Sequence, residues 1–294
     1  MDFKKDIESI AKAILDQNAI DHSAVSGWEI VHMFLNFQLK LIKQIPRNVL
    51  KSKKIQNSSY DDCIVKALVA IERKFLMGDD VNSHLSKRLL NGTYTDPLLA
   101  DWGIYHLHLN TDIDERDNRF IRRSKDVLFL KISGDTVYFI DIRPHGRGGE
   151  PNVFEQKTLL QMIVDEWPWV LEPYRLKGVM GLRDEINDAE GIRKMREGRV
   201  NLLHKINDGV YASPGAGITT AGTSVAVTRR ANHLYYLARD AEKYVIEHRE
   251  QIDKLLSRIE GYNPNEARFR LGLVNDEVLI YEEGTRTAVV YLGG

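Results

Sequence analysis

Apolar and polar residues alternate with a period of two between Ile104 and Ile142. Successive side chains of an extended strand point to opposite faces of its sheet, so this period is typical of strands. Gly134-Asp135 interrupts the pattern with residues that tight hairpin turns prefer. We therefore predict three consecutive antiparallel strands, which cover 104–109, 127–132 and 137–142.

The segments on either side of this stretch have a different character. Apolar residues in 1–95 recur at helical spacing, as in the run from Ile7 to Leu15, and Asn91-Gly92 is a helix stop signal. The rest of the chain mixes helical and strand patterns. We predict an α+β fold with a helical region at 1–95, a central antiparallel sheet at 96–166 that carries the active site, and a mixed region at 167–294.

The mixed region contains a small-residue segment, 213–224, before a long predicted helix at 225–248. We interpret this segment as a flexible loop in which Thr223 or Ser224 caps the helix, with a mobile lid as the alternative. Three short strands then end the chain. They are predicted at 268–274, 278–282 and 287–292, with turns at Asn275-Asp276 and 283–285.

The composition excludes some classes of partner. The chain has 294 residues, 43% of them apolar, and a net charge of -1, so a nucleic-acid partner would need a local basic patch. The single cysteine, Cys63, allows no internal disulfide, and the longest apolar runs are too short to cross a bilayer. We expect a cytoplasmic protein with no membrane partner.

Histidine and arginine are concentrated around the predicted central strands. His106 and His108 are two residues apart on one strand, so their imidazoles share a face and could act as an acid–base pair or bind one metal ion. A loop rich in arginine follows, and His145 comes directly after the third strand. Arginine binds phosphate in a bidentate manner, so this combination suits a phosphate-rich substrate. The basic residues are Arg116, Arg119, Arg122, Arg123, Lys125, Arg143 and Arg147.

The three strands with their basic and imidazole groups resemble the RelE-like and barnase/EndoU/colicin-type ribonuclease toxins. The resemblance lies in 102–109, 126–132 and 137–145, and it leaves 1–95 and 166–294 unaccounted for. Domains of those families are also much shorter than this chain. The resemblance implies cleavage of RNA without a metal ion, with His106 and His108 as acid and base.

The leading hypothesis is a metal-independent ribonuclease of the toxin or phage-defence type, which uses acid–base chemistry and no cofactor. Its partner is RNA, and the sequence leaves open a protein antitoxin, a second defence component and self-association. The predicted catalytic residues are His106, His108, Arg123, Lys131 and His145. The predicted substrate-binding residues are Arg119, Arg122 and Arg143.

The same residues are consistent with two other functions. A metal-dependent hydrolase could use His106 and His108 together with Asp141 or His145, because zinc takes three or four such ligands. A non-catalytic module could instead bind protein or nucleic acid through the basic loop and the C-terminal sheet. A third interpretation is purely structural, with the histidines on a polar sheet face and the arginines in water.

Overall fold

The computed structural model describes residues 1–274 and 277–291, which form an α+β fold with 42% helix and 18% strand. The helices are α1 (Phe3–Gln17), α2 (Trp28–Lys40), α3 (Lys53–Asn57), α4 (Asp62–Met77), α5 (Pro97–Trp102), α6 (Thr158–Glu166), α7 (Pro168–Leu171), α8 (Ala189–Glu197), α9 (Val225–Glu247) and α10 (Arg249–Leu256). The strands are β1 (Asn48–Lys51), β2 (Ile104–His108), β3 (Asp126–Ser133), β4 (Thr136–Pro144), β5 (His204–Ile206), β6 (Gly209–Tyr211), β7 (Phe269–Val274), β8 (Glu277–Glu282) and β9 (Thr287–Tyr291).

The chain divides into two compact units that are not consecutive in sequence. Unit 1 comprises Met1–Gln38, Leu90–Thr93 and the described part of Val227–Gly294, and unit 2 comprises Leu39–Leu89 and Tyr94–Ala226. Sequence periodicity divided the chain into three consecutive regions instead. Periodicity reports local structure and carries no signal for a contact between the two ends of a chain.

Unit 1 contains the antiparallel sheet β7-β8-β9, against which α1 packs. The Asp6 carboxylate of α1 accepts hydrogen bonds from the Leu271 backbone N–H at 2.9 Å and from the Arg270 guanidinium at 3.0 Å. These bonds join residues more than 260 positions apart. The predicted turn at Asn275-Asp276 and the predicted strand end at Leu292 lie outside the described residues.

Unit 2 is built on a four-stranded sheet with the order β1-β4-β3-β2. The antiparallel pairing of β2, β3 and β4 confirms the three predicted strands, and β1 adds a parallel edge beside β4. β1 falls in the region predicted to be helical, and that prediction is wrong over these four residues. A strand so short gives too few positions for a period of two to be recognised.

The two faces of this sheet bury different side chains. Leu107 and Leu109 pack with Ile71 and Phe75 of α4 on one face, as the alternation in β2 predicts. Ile104 packs on the other face with the apolar side of α6. Register places His106 opposite Phe129 and His108 opposite Val127, so both imidazoles lie on the face that α6 covers in part.

The small-residue segment is anchored to the end of α5. The backbone N–H of Gly215 donates to the Asp101 carbonyl at 2.7 Å, and that of Gly217 donates to the Ala100 carbonyl at 2.8 Å. The Asn201 side chain bonds both the N–H and the carbonyl of Ile218. These bonds give the segment a defined path and favour neither a flexible loop nor a lid.

No helix within 1–274 and 277–291 is both long enough and apolar enough to cross a bilayer.

Gly215→Ala is expected to destabilise the protein by about 1–3 kcal/mol or more, the usual cost of overpacking. The added Cβ would lie 2.3 Å from the Leu99 carbonyl oxygen and 2.5 Å from that of Ala100, and backbone atoms cannot move aside cheaply. Urea denaturation measures the change. Gly181→Ala is the control, because its Cβ would meet nothing within 4 Å and should shift stability by less than about 0.5 kcal/mol. Equal stabilities for the two variants would contradict this packing.

Candidate active site

A pocket of about 490 Å³ opens beside β2, and all of its lining residues belong to unit 2. It brings together four of the predicted catalytic side chains: His106, His108, Arg123 and His145. The histidines come from β2 and from the residue after β4, and Arg123 comes from the loop between β2 and β3. The remaining lining is formed by Lys40, Leu85, Ser86, Lys87, Arg88, Leu89, Tyr94, Asp96, Pro97, Leu98, Leu99, Tyr105, Gly146, Phe154 and Glu155.

His145 is fixed by the ends of the β3–β4 hairpin. The Lys125 carbonyl accepts from the backbone N–H of His145 at 2.9 Å and from its Nδ1 at 2.6 Å. Since Nδ1 must carry a proton to donate, Nε2 of the neutral ring is the acceptor, and it receives the Arg123 guanidinium at 3.3 Å. Gly146, with φ +76°, turns the chain immediately afterwards. The imidazole therefore holds Arg123 at the pocket.

His108 is buried and packs 5.1 Å from the ring of His145, measured between centroids. Burial is the main cause that lowers the pKa of His108 to about 3, and the charges of His145, His106 and Arg123 lower it further. Its Nδ1 lies 3.4 Å from the Ser124 hydroxyl, which already donates to the Asp126 carbonyl. Ser124 must then accept from Nδ1–H, which leaves Nε2 of His108 with the basic lone pair.

The backbone of His108 has a buried support of its own. Nδ1 of His84 donates to the His108 carbonyl at 3.1 Å, and Nε2 of His84 accepts from Lys74 at 3.2 Å. Burial lowers the pKa of His84 to about 4, so the ring is neutral at pH 7 and keeps these two roles.

His106 is partly buried and lies beside a carboxylate. Its Nδ1 is 3.8 Å from Oδ2 of Asp96, and its ring packs 5.0 Å from that of Phe154. Burial lowers the pKa of His106, whereas the Asp96 charge opposes that shift. Oδ1 of Asp96 is committed elsewhere, because it caps α5 through the N–H groups of Leu98 and Leu99.

Three imidazoles and one guanidinium thus meet in one pocket, and burial lowers the pKa of two of the rings, His106 and His108. A bound anion would raise the pKa of His106 and of His108, because an opposite charge favours the protonated form. The pocket can therefore attract a phosphate through Arg123 and then hold one ring protonated and another neutral. That combination supplies an acid and a base at one site.

Two other predicted residues lie outside this lining. Lys131 is buried, and its ammonium donates to the carbonyls of Trp102 at 3.1 Å and Gly103 at 3.5 Å. Burial lowers its pKa to about 8. Arg143 is also buried, and it bonds the Asp141 carboxylate at 2.5 Å and the Thr158 hydroxyl at 2.8 Å. Both side chains satisfy buried polar groups away from the histidines.

The two remaining arginines point into water from the loop. Arg119 makes a bidentate pair with Asp117, with both distances at 2.9 Å. Arg122 lies 3.8 Å from the Asp112 carboxylate. Neither lines the pocket, whereas Arg123 of the same loop does.

Asp141 does not line the pocket either. It is fully buried and accepts hydrogen bonds from Lys54 at 2.8 Å and from Arg143. Within residues 1–274 and 277–291, no group of three or more His, Cys, Asp or Glu side chains is arranged to hold a metal ion. The geometry therefore gives no support to a metal centre built on His106, His108 and Asp141 or His145.

The sequence contains no indication that eight other charged or aromatic residues line the pocket: Lys40, Lys87, Arg88, Tyr94, Asp96, Tyr105, Phe154 and Glu155. Burial lowers the pKa of Lys40 to about 8, and burial raises that of Glu155. Asp96 is the first residue of the predicted central region, but no pattern indicated a role for it. Apart from Tyr105 of β2, the others are separated from the central strands by segments with no recognisable motif.

Comparison with known proteins finds no matching family model, no similar curated protein and no similar solved structure.

The free energy of unfolding should fall as the pH drops below about 6.5, the ordinary pKa of histidine. His84, His108 and His204 have folded pKa values of about 4, 3 and 4, lowered mainly by burial, so the unfolded chain binds more protons in this window. Their stabilisation is complete above pH 6.5 and is lost toward pH 4. Each group contributes a slope of at most about 1.4 kcal/mol per pH unit.

Urea unfolding followed by tryptophan fluorescence between pH 7.5 and 5 measures this slope, since Trp102 and Trp167 are buried in unit 2. His108→Gln should make the change in stability with pH smaller by the contribution of one histidine. A stability that stays constant across this range would contradict neutral, buried imidazoles.

Proposed function

We propose that this protein is a metal-independent ribonuclease whose active site is the histidine-lined pocket. One observation carries the proposal: His106, His108 and His145 converge with Arg123 around a single pocket. A fold needs no such group of imidazoles for stability, because each buried ring loses hydration and forgoes its charge. Proton transfer at a phosphate is a reaction that uses these groups together.

In this proposal His108 is the general base and His106 the general acid. Nε2 of His108 takes the proton of a ribose 2′-hydroxyl, and the resulting oxygen attacks the adjacent phosphorus. His106, protonated beside Asp96, gives a proton to the departing 5′ oxygen as the P–O bond breaks. The products are a 2′,3′-cyclic phosphate and a 5′-hydroxyl, so one proton is removed and one is returned.

Arg123 and His145 complete the proposed site on the phosphate. The guanidinium is permanently charged and can stabilise the negative charge that develops on the phosphate oxygens. The negative charge of a phosphodiester held at Arg123 compensates for the low basicity of His108, because it raises the pKa of a neighbouring imidazole. The proposed site does not use the four predicted residues that lie outside the pocket lining: Lys131, Arg119, Arg122 and Arg143.

The biological setting is proposed on the toxin resemblance of 102–145 alone. Under it the enzyme acts on cellular or phage RNA, and a protein antitoxin or a second defence component restrains it. The observation that favours a non-catalytic alternative is the charged lining itself, because a pocket with Arg123 and Arg88 could retain RNA without cleaving it.

We expect purified protein to cleave single-stranded RNA in EDTA and to leave a 2′,3′-cyclic phosphate. An RNA with one 2′-deoxy position should resist cleavage at that position. His106→Ala and His108→Ala should each lower the rate about 10²- to 10⁴-fold, the usual contribution of a general acid or base. Gel and mass analysis of the fragments measures both.

Arg73→Ala is the matched control, since it removes one exposed cation from α4 of the same unit and should leave the rate unchanged. Cleavage that stops in EDTA would instead favour the metal-dependent hydrolase. RNA that is bound but never cut would favour the non-catalytic module. Cleavage that survives both histidine substitutions would refute the proposed site.

A further inference from the structure

Arg88 and Tyr94 form a stacked pair in a part of the pocket that the proposed acid–base chemistry does not use. The guanidinium carbon of Arg88 lies 4.9 Å from the centroid of the Tyr94 ring, and its Nη1 donates to the Tyr94 hydroxyl at 3.3 Å. The stack and the hydrogen bond together fix the guanidinium relative to the ring.

The backbone beneath this pair is held by one buried ammonium. Lys40 donates to the carbonyl of Arg88 at 3.4 Å and to the carbonyl of Tyr94 at 3.3 Å. Lys40 itself is buried, so these bonds are shielded from water. The Arg88–Tyr94 pair is therefore ordered before any ligand binds, so binding does not include the entropic cost of ordering it.

The charge of Arg88 is available to a ligand. Arg88 is exposed, and within 1–274 and 277–291 no carboxylate forms an ion pair with it. The neighbouring Lys87 differs, because it pairs with Asp114 at 2.8 Å. A fixed guanidinium whose charge is unpaired offers a flat, cationic surface, and nucleobases stack on such surfaces in proteins that bind single strands.

Two carboxylates make a nucleobase a better ligand for this region of the pocket than a second phosphate group. Asp96 and Glu155 line the same pocket, and they would repel a further phosphate group. Carboxylate oxygens instead accept hydrogen bonds from the N–H groups on the edge of a base. The neutral, N–H-bearing part of a nucleotide therefore fits this region better than its charged part does.

We infer that Arg88 and Tyr94 stack an unpaired nucleobase next to the phosphate at Arg123, so that the pocket selects single-stranded RNA over duplex RNA. This inference rests on the proposed function for the placement of the phosphate. A pocket of about 490 Å³ is of the size that encloses a small molecule. A base inside a duplex would have to leave its stack before it could enter.

Binding of 2′-O-methyl tetranucleotides, which cannot be cleaved through the 2′-oxygen, tests the inference apart from catalysis. A set in which each member lacks one base should contain a position whose loss weakens binding to the wild type about 5- to 100-fold. The same loss should have no effect on Arg88→Ala. Annealing the tetranucleotide into a longer duplex should weaken its binding to a similar degree.

Arg88→Lys separates stacking from charge, because lysine keeps the positive charge and loses the flat surface. It should weaken binding as Arg88→Ala does, while Arg73→Ala binds like the wild type. Wild-type affinity in Arg88→Lys, equal affinity for the duplex, or no binding at all would overturn the inference. Arg88-dependent binding of single strands with no cleavage of unmodified RNA would uphold it while the ribonuclease proposal fails.

Discussion

One carbonyl oxygen sets the geometry on which the candidate site depends. The Lys125 carbonyl accepts two hydrogen bonds from His145, one from its backbone and one from its ring. Lys125 immediately precedes β3 and His145 immediately follows β4, so the bonds close the open end of the hairpin. They also fix the tautomer of the ring, which directs Nε2 toward Arg123. The ring of His145 in turn contacts both the Arg123 guanidinium and the imidazole of His108, so these two hydrogen bonds help to fix the position of both groups.

The electrostatics of the pocket follow from the burial of several basic side chains close to one another. His106 and His108 lose hydration, and each neighbouring positive charge makes their protonation harder still. The protein therefore keeps His108 neutral at a cost in acid stability. An anionic ligand reverses this balance, because it supplies the counter-charge that the site lacks. Asp96 supplies part of that counter-charge to His106 and not to His108. This difference is the reason that the proposed ribonuclease has His106 as its acid and His108 as its base.

The sequence predicted much of unit 2 because its signals there are local. Alternation in 104–109 placed His106 and His108 on one face, and the three antiparallel strands are confirmed. The α+β class is confirmed as well. Lys131 shares that face through register, yet it bonds the carbonyls of Trp102 and Gly103. Alternation assigns a side chain to a face, but it does not say what the side chain will meet there.

The rest could not be predicted, for reasons that are also physical. β1 is short and pairs in parallel with a strand far along the chain, so neither length nor period reveals it. Lys40, Arg88 and Tyr94 meet through backbone carbonyls, and carbonyls carry no sequence signature. Within unit 1, Asp6 of the first segment accepts a hydrogen bond from Leu271, which lies 265 positions away. Contacts of this kind are products of tertiary packing, which a single sequence does not encode in any local pattern.

The central claim is that RNA binds where the three histidines meet Arg123. Long-range ¹H–¹⁵N NMR of protein labelled in its histidine rings reports the tautomer and charge of every ring during titration with a 2′-O-methyl tetranucleotide. We predict a neutral His108 with Nδ1–H in the free protein, and changes concentrated on His106, His108 and His145 on binding. Changes confined to histidines outside the pocket, such as His22 and His233, would contradict it.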